Sequence, residues 1–188
     1  NSVLLKATGN ERVFVSAGEG SVLNTGEIRS AMVELKAHGN VGALAINNMG
    51  VIRATGSSSA NGRVLLSANQ GNIANTGQIT AQNLDGTGGD IIFTAGMGEI
   101  HVGGILNATG VGGRGGNIQM LSETVRVEPA AILDASGAEG GTVQLGTNPG
   151  AGRVDVLPGA QVLANGTVGN GGNIDVVAGD VVIYGNST

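Results

Sequence analysis

The sequence predicts an all-β protein, a parallel β-helix of about seven coils with three short strands and roughly 27 residues in each. Three observations predict it: a glycine-rich, aromatic-poor composition, a phrase that recurs along the whole chain, and a period of two inside each run. Glycine fills 36 positions, prolines number three, cysteine and tryptophan are absent, and the aromatics are Phe14, Phe93 and Tyr184. A core built around large rings is therefore excluded. Apolar residues still make up 40%, mostly valine, isoleucine, leucine and alanine, so there is enough to bury if every strand contributes a little. Only 12% of residues are charged, which argues against a disordered chain.

The recurring phrase is two glycines, a polar residue and a β-branched residue that opens an apolar run: GGDIIFT at Gly88, GGNIQML at Gly115, GGTVQLG at Gly140 and GGNIDVV at Gly171. Aligned on the β-branched residue, the first column holds Val3, Val33, Val64, Ile91, Ile118, Val143 and Ile174. Leu5, Leu35, Leu66, Phe93, Met120, Leu145 and Val176 stand beside them as a second inward ladder. Another column follows within each unit at Ile28, Ile52, Ile79, Leu106, Leu133 and Val162, with the small Ala54, Ala81, Ala108, Ala135 and Ala164 after it. A third, less regular run reads RVFV, ALAI, GNIAN, EIHV, VRVE, RVDV and DVVIY.

Alternation within each run, as in Ile79-Thr80-Ala81, gives every strand one core face and one water face. Equivalent strands of successive coils then stack in parallel at about 4.8 Å. Each coil bends three times, and glycine serves corners that need positive φ or close backbone approach. The segments ATGSSSANG, AQNLDGTGG, ATGVGGRGG, ASGAEGG and ANGTVGNGG occupy one corner, which is thus the variable one. Leu4, Leu65 and Ile92 fall on the outward face of the first strand, which points to a cover: a loop, another chain or a neighbouring segment.

The stretches VELKAHGNVGALAINNMGVIRATG, GRVLLSA, NTGQITAQ, GGDIIFTAG, GGILNATG and AAILDASGAEGGTVQLG resemble the passenger repeats of filamentous-haemagglutinin-like exoproteins. The resemblance runs from about Asn1 to Ser187. It implies a right-handed β-helix, two-partner secretion through an outer-membrane β-barrel transporter, and an extracellular or outer-surface location on a Gram-negative-type bacterium. The implied roles are adhesion, biofilm formation and cell–cell contact. The Asn-Pro-Asn-type motifs of that family's secretion domain have only Asn148-Pro149-Gly150 as a match, so residues 1–188 are read as one β-helix segment of a longer shaft.

Catalytic, cofactor and metal motifs reduce to turns and surface residues, and no such site is expected. Gly110-Val111-Gly112-Gly113-Arg114-Gly115 matches the phosphate-cradling glycine pattern, but that chemistry needs a following helix, and a strand follows. Asp85-Gly86-Thr87-Gly88-Gly89-Asp90 has no tandem copy to share calcium with. His38 and His101 lie in different coils and columns and are read as surface histidines. The polar column Arg29, Arg53, Thr80, Asn107, Asp134, Leu163 carries one acid, too few for a polysaccharide lyase or hydrolase, which is the alternative reading. Asn107-Ala108-Thr109, Asn165-Gly166-Thr167 and Asn186-Ser187-Thr188 are sequons in a chain rich in Asn and Thr.

The net charge of −5 argues against nucleic acid as a partner. Charge is unevenly spread: residues 1–63 carry six basic and four acidic side chains, residues 64–188 three and ten. With no amphipathic helix to cover either terminal coil, the chain is expected to associate weakly end to end, head to tail, or to build an extracellular filament. A host-cell, matrix or polysaccharide receptor is implied but not identified.

Overall fold

The computed structural model describes residues 12–57, 61–147 and 152–184, together with the backbone of residues 2–5. No helix occurs among them. An N-terminal strand, β1 (Ser2–Leu5), precedes a regular succession of three strands per coil. The coils are β2 (Arg12–Ala17), β3 (Val22–Asn24) and β4 (Glu27–Ser30); β5 (Met32–Ala37), β6 (Leu44–Asn48) and β7 (Val51–Gly56); and β8 (Arg63–Ala68), β9 (Asn72–Asn75) and β10 (Gln78–Asn83). They continue with β11 (Asp90–Ala95), β12 (Glu99–Val102) and β13 (Ile105–Asn107); β14 (Asn117–Leu121), β15 (Thr124–Val127) and β16 (Ile132–Asp134); and β17 (Thr142–Leu145), β18 (Arg153–Val156) and β19 (Gln161–Leu163). Two strands of a further coil, β20 (Asn173–Val176) and β21 (Asp180–Ile183), close the described chain.

These strands form three parallel walls. Wall A is β2-β5-β8-β11-β14-β17-β20, wall B is β3-β6-β9-β12-β15-β18-β21 and wall C is β4-β7-β10-β13-β16-β19. The protein is thus a β-solenoid of six complete coils and two strands of a seventh, slightly shorter than the seven expected. Wall C reproduces the sequence alignment along its whole length, with Ile28, Ile52, Ile79, Leu106, Leu133 and Val162 in continuous register. In wall A, Val33, Val64, Ile91, Ile118 and Val143 stack in register and are wholly buried. Leu35, Leu66, Phe93, Met120 and Leu145 form the ladder beside them.

The first member of the wall A column is corrected. Val3 and Leu5 do not lie in the parallel stack, because β1 runs antiparallel to β2. The first parallel strand is RVFVSA, which pairs Val13 with Val33 and Val15 with Leu35. The sequence alignment groups it with the third column, whose first member in the structure is instead Val22-Leu23-Asn24, paired to Ile46-Asn47-Asn48. VLLKA at Val3 and VLLSA at Val64 carry the same alternation, and alternation specifies a face without specifying strand direction. The chain therefore does cover one N-terminal wall edge, with a strand and not with a helix.

Close approach, more than positive φ, explains the paired glycines. A Cβ on Gly116 would lie 2.0 Å from the Gly89 carbonyl oxygen, and one on Gly89 2.2 Å from that of Gly62. Neither has the left-handed backbone found at corner positions such as Gly86 and Gly112. Each coil is stacked so closely on its predecessor at this corner that no side chain fits between them.

The wall B to wall C corner holds a feature the apolar alignment passed over. Asn24, Asn48 and Asn75 are stacked and buried, at the inward end of β3, β6 and β9. The Asn24 Nδ2 donates to Asn48 Oδ1 at 2.7 Å, and the Asn48 Nδ2 donates to Asn75 Oδ1 at 2.6 Å. Asn75 Nδ2 donates onward to the Gly77 carbonyl at 3.2 Å. The next residue in register, Val102, ends the ladder, and Val127 and Val156 continue the column as apolar residues.

Candidate functional site

Two outer surfaces gather polar chemistry. The first is a trough at the corner between wall C and wall A, built by loops that stack as regularly as the strands. Gly88 N donates to Arg114 O, Gly115 N to Glu139 O and Gly140 N to Asn170 O, at 2.8–2.9 Å, so Arg114, Glu139 and Asn170 come into line from consecutive coils. Facing them across the glycine floor are the first, outward residues of successive wall A strands: Asp90, Asn117, Thr142 and Asn173. The trough holds about 380 Å³ around Asp90 and Asn117 and about 430 Å³ around Glu139 and Asn173. Its lining offers amide, hydroxyl, carboxylate and guanidinium groups without any aromatic ring, which suits hydrogen bonding to hydroxyl-rich molecules and gives no platform for ring stacking. At the Asp90 end, Arg63 is committed to Asp90 at 2.9 Å. Arg114 makes one long hydrogen bond, from Nε to the Gly140 carbonyl at 3.4 Å.

The second surface is the outer face of wall B, where register places His101, Arg126 and Asp155 in one row. His101 Nε2 lies 2.9 Å from Glu99 Oε2, and its Nδ1 lies 3.7 Å from Glu128 Oε1. Arg126 Nε donates to the same Glu128 oxygen at 2.8 Å. One coil on, Arg153 Nε lies 2.8 Å from Asp155 Oδ2, while its Nη1 donates to Asp180 Oδ2 at 3.0 Å. The Arg153 hydrogen bond holds the Asp155 carboxyl below the usual aspartate range, against the opposing pull of its burial. His101, read from the sequence as a surface histidine, lies on the outer wall between two carboxylates. Glu99 is two residues away and hence on the same face, a signal legible in EIHV, whereas Glu128 comes from the next coil. The carboxylates occupy opposite ring nitrogens, so they cannot converge with the imidazole on one ion, and no metal-holding cluster occurs among the described residues.

The remaining motifs resolve into local structure. Gly110–Gly115 is a corner loop that leads into β14, with no helix to receive a phosphate. Asp85 Oδ1 accepts from the Thr87 amide at 2.9 Å and from its hydroxyl at 2.6 Å, closing a tight turn and holding the Asp85 carboxyl below its usual range. The wall C outward row aligns as expected, from Arg29 through Arg53, Thr80, Asn107 and Asp134 to Leu163. Glu27 pairs with both Arg29 and Arg53, and Asp134 accepts from the Ser136 amide. Asn107 Oδ1 is likewise occupied by the amide and hydroxyl of Thr109. His38 faces Asn69 at 3.3 Å. Leu65 and Ile92 are outward and half-buried. The side chain of Leu4, the Asn148-Pro149-Gly150 match and the Asn186 sequon lie outside the described residues.

Fold and surface together define a β-solenoid protein whose outer walls carry stacked polar rows. Comparison with known proteins finds no matching family model, no matching curated protein and no matching solved structure.

Proposed function

We propose that the chain is a structural and adhesive shaft segment of a large secreted or surface-exposed bacterial exoprotein, exported by two-partner secretion. The observation that carries this reading is the parallel stacking of three walls through six coils, in register except for one bulge between Leu44 and Ile46 in wall B, which makes a rod whose length grows by about 4.8 Å for each coil. Outer charges are largely spent on one another, as in the Glu27–Arg29–Arg53 and Asp155–Arg153–Asp180 groups, which suits a wall that spans distance. Beads coated with the purified protein should adhere to host cells, matrix or biofilm polysaccharide above the level of uncoated beads. Equal adherence of coated and uncoated beads would remove the adhesive part of the reading.

The trough between Arg114 and Asn173 favours a second reading, a carbohydrate-active β-helix. Incubation with acidic and neutral polysaccharides separates the two: steady release of unsaturated or reducing ends would replace the shaft reading with an enzymatic one.

A further inference from the structure

The recurring phrase of the sequence, a residue, two glycines and a second residue, builds the trough itself. The residue before the glycines stands on the loop side and the residue after them on the wall A side, so each coil sets one pair across the floor: Thr87 with Asp90, Arg114 with Asn117, Glu139 with Thr142. The trough opens sideways and runs along the rod. A further coil at either end would lengthen it without covering it.

Elsewhere on the surface the arginines are spent. Arg12, Arg29, Arg53, Arg63, Arg126 and Arg153 each have a carboxylate partner. Among the described residues Arg114 is the one arginine without such a partner: it is exposed, and its hydrogen bond runs from Nε to the Gly140 carbonyl at 3.4 Å, which leaves both terminal nitrogens of the guanidinium free. Glu139, the next member of its row, does not reach back to it. The Glu139 Cγ and Oε1 lie over Gly169 of the following coil, 2.9 and 3.6 Å from where a Cβ on that glycine would stand. Asp90 is already neutralised by Arg63. The Asn117 amide and the Thr142 hydroxyl line the same stretch and make no hydrogen bond among the described residues.

We propose that the trough binds a glycan in which carboxylated sugars alternate with neutral ones, and that Arg114 takes the carboxylate. A planar guanidinium offers two N–H groups to the two oxygens of a carboxylate, a fork that a lysine cannot reproduce. Asn117 and Thr142 then meet the ring hydroxyls, each able to donate and to accept. The stretch around Asp90 and Asn117 is lined by no apolar side chain, so it has nothing to hold the side chains of an acidic peptide. Alternation follows from Glu139. A pyranose unit advances a glycan chain by roughly the coil rise of about 4.8 Å, which brings the sugar after the one on Arg114 to the Glu139 rung. A carboxylate on that sugar would meet like charge, and a neutral sugar would not.

The inference gives a chemical class to the polysaccharide receptor of the adhesive reading and rests on that reading. Its test is a titration of the 188-residue chain with a short hyaluronan oligosaccharide, whose acidic and neutral sugars alternate, followed by amide chemical shifts. Shifts should centre on Gly115, Gly116 and Asn117 and should weaken between about 0.02 M and about 0.5 M salt. A neutral dextran oligosaccharide and an oligogalacturonate, acidic at every sugar, should each bind on the order of tenfold more weakly. Arg114→Gln should lower hyaluronan affinity on the order of tenfold, and Arg114→Lys should restore part of it. Arg126→Gln removes the same charge from wall B and should leave binding unchanged. Glu139→Gln should raise the affinity for oligogalacturonate toward that for hyaluronan. Equal binding of the three glycans, no binding of hyaluronan, or equal loss in Arg114→Gln and Arg126→Gln would each overturn the inference. Because the probe is a free oligosaccharide, such a failure would leave the adherence of coated beads, and with it the adhesive reading, standing.

Discussion

Replacing Asn48 by valine tests whether the buried asparagine ladder is a fully satisfied network or merely a set of tolerated polar residues. Asn48 is wholly buried, accepts from Asn24 and donates to Asn75. Valine at this position would strand the Asn24 Nδ2 hydrogen below and the Asn75 Oδ1 above. Each buried group left without a partner costs about 1–3 kcal/mol, so the single substitution should cost about 2–6 kcal/mol. Replacing Asn24, Asn48 and Asn75 together removes both stranded groups, and the column already runs on as Val102, Val127 and Val156. The backbone carbonyls beside the ladder keep other partners, since Gly50 O accepts from Gln78 N and Gly77 O from Ile105 N. The triple variant should therefore be more stable than Asn48→Val alone. Urea melts followed by circular dichroism would measure both midpoints under identical conditions. If the triple variant is destabilised by roughly three times the single value, the asparagines act independently and the network argument fails.

Other substitutions separate core, corner and surface. Leu106→Asp places a carboxylate in a wholly buried apolar column and should cost several kcal/mol, whereas Arg114→Glu in the corner loop should shift stability by less than about 0.5 kcal/mol; equal shifts in melting midpoint would refute the inward and outward assignment. Gly116→Ala forces a Cβ against the Gly89 carbonyl and should destabilise strongly, while Gly18→Ala, with nothing within 4 Å, should be neutral or stabilising by up to about 1 kcal/mol in the same melts. The Asp155 carboxyl, held low by Arg153, contributes stability that is present above about pH 4 and lost as the pH falls through its lowered folded value; Asp155→Asn should flatten that part of an acid titration monitored by circular dichroism.

Wall C was legible residue by residue because its column of large aliphatic residues, Ile28, Ile52, Ile79, Leu106, Leu133 and Val162, is never interrupted and each turn into it is short. Wall A was legible from Val33 onward and misread before it. The VLLKA run at Val3 satisfies every test that alternation can apply, but strand direction depends on which edge the strand meets, a long-range property that no local pattern encodes. Wall B was the least regular in sequence because its inward corner position changes from asparagine to valine midway. An alignment anchored on apolar residues drops Asn24, Asn48 and Asn75, although the repeated Asn-x-Gly at Asn24, Asn48 and Asn75 marks the turn that follows each one.

The surface chemistry was harder to read than the core for a physical reason. A core position is constrained by the residue one coil away in the same column, so period and alignment suffice to find its neighbours. An ion pair on the wall needs two offsets, one along the strand and one across coils, and long side chains reach diagonally. Glu99 and His101 satisfy the first offset and could be paired by alternation alone. Glu128 reaches His101 only because the wall B to wall C corner of the following coil brings it alongside, and corner lengths vary between coils. The same variation hides the trough: Arg114, Glu139 and Asn170 are 25 and 31 residues apart, intervals that look irregular until backbone hydrogen bonds from Gly115 and Gly140 set them in line. Loops that stack by their own main-chain bonds thus carry a regular surface on an irregular sequence, and the repeating unit of such a surface is the coil spacing rather than a motif.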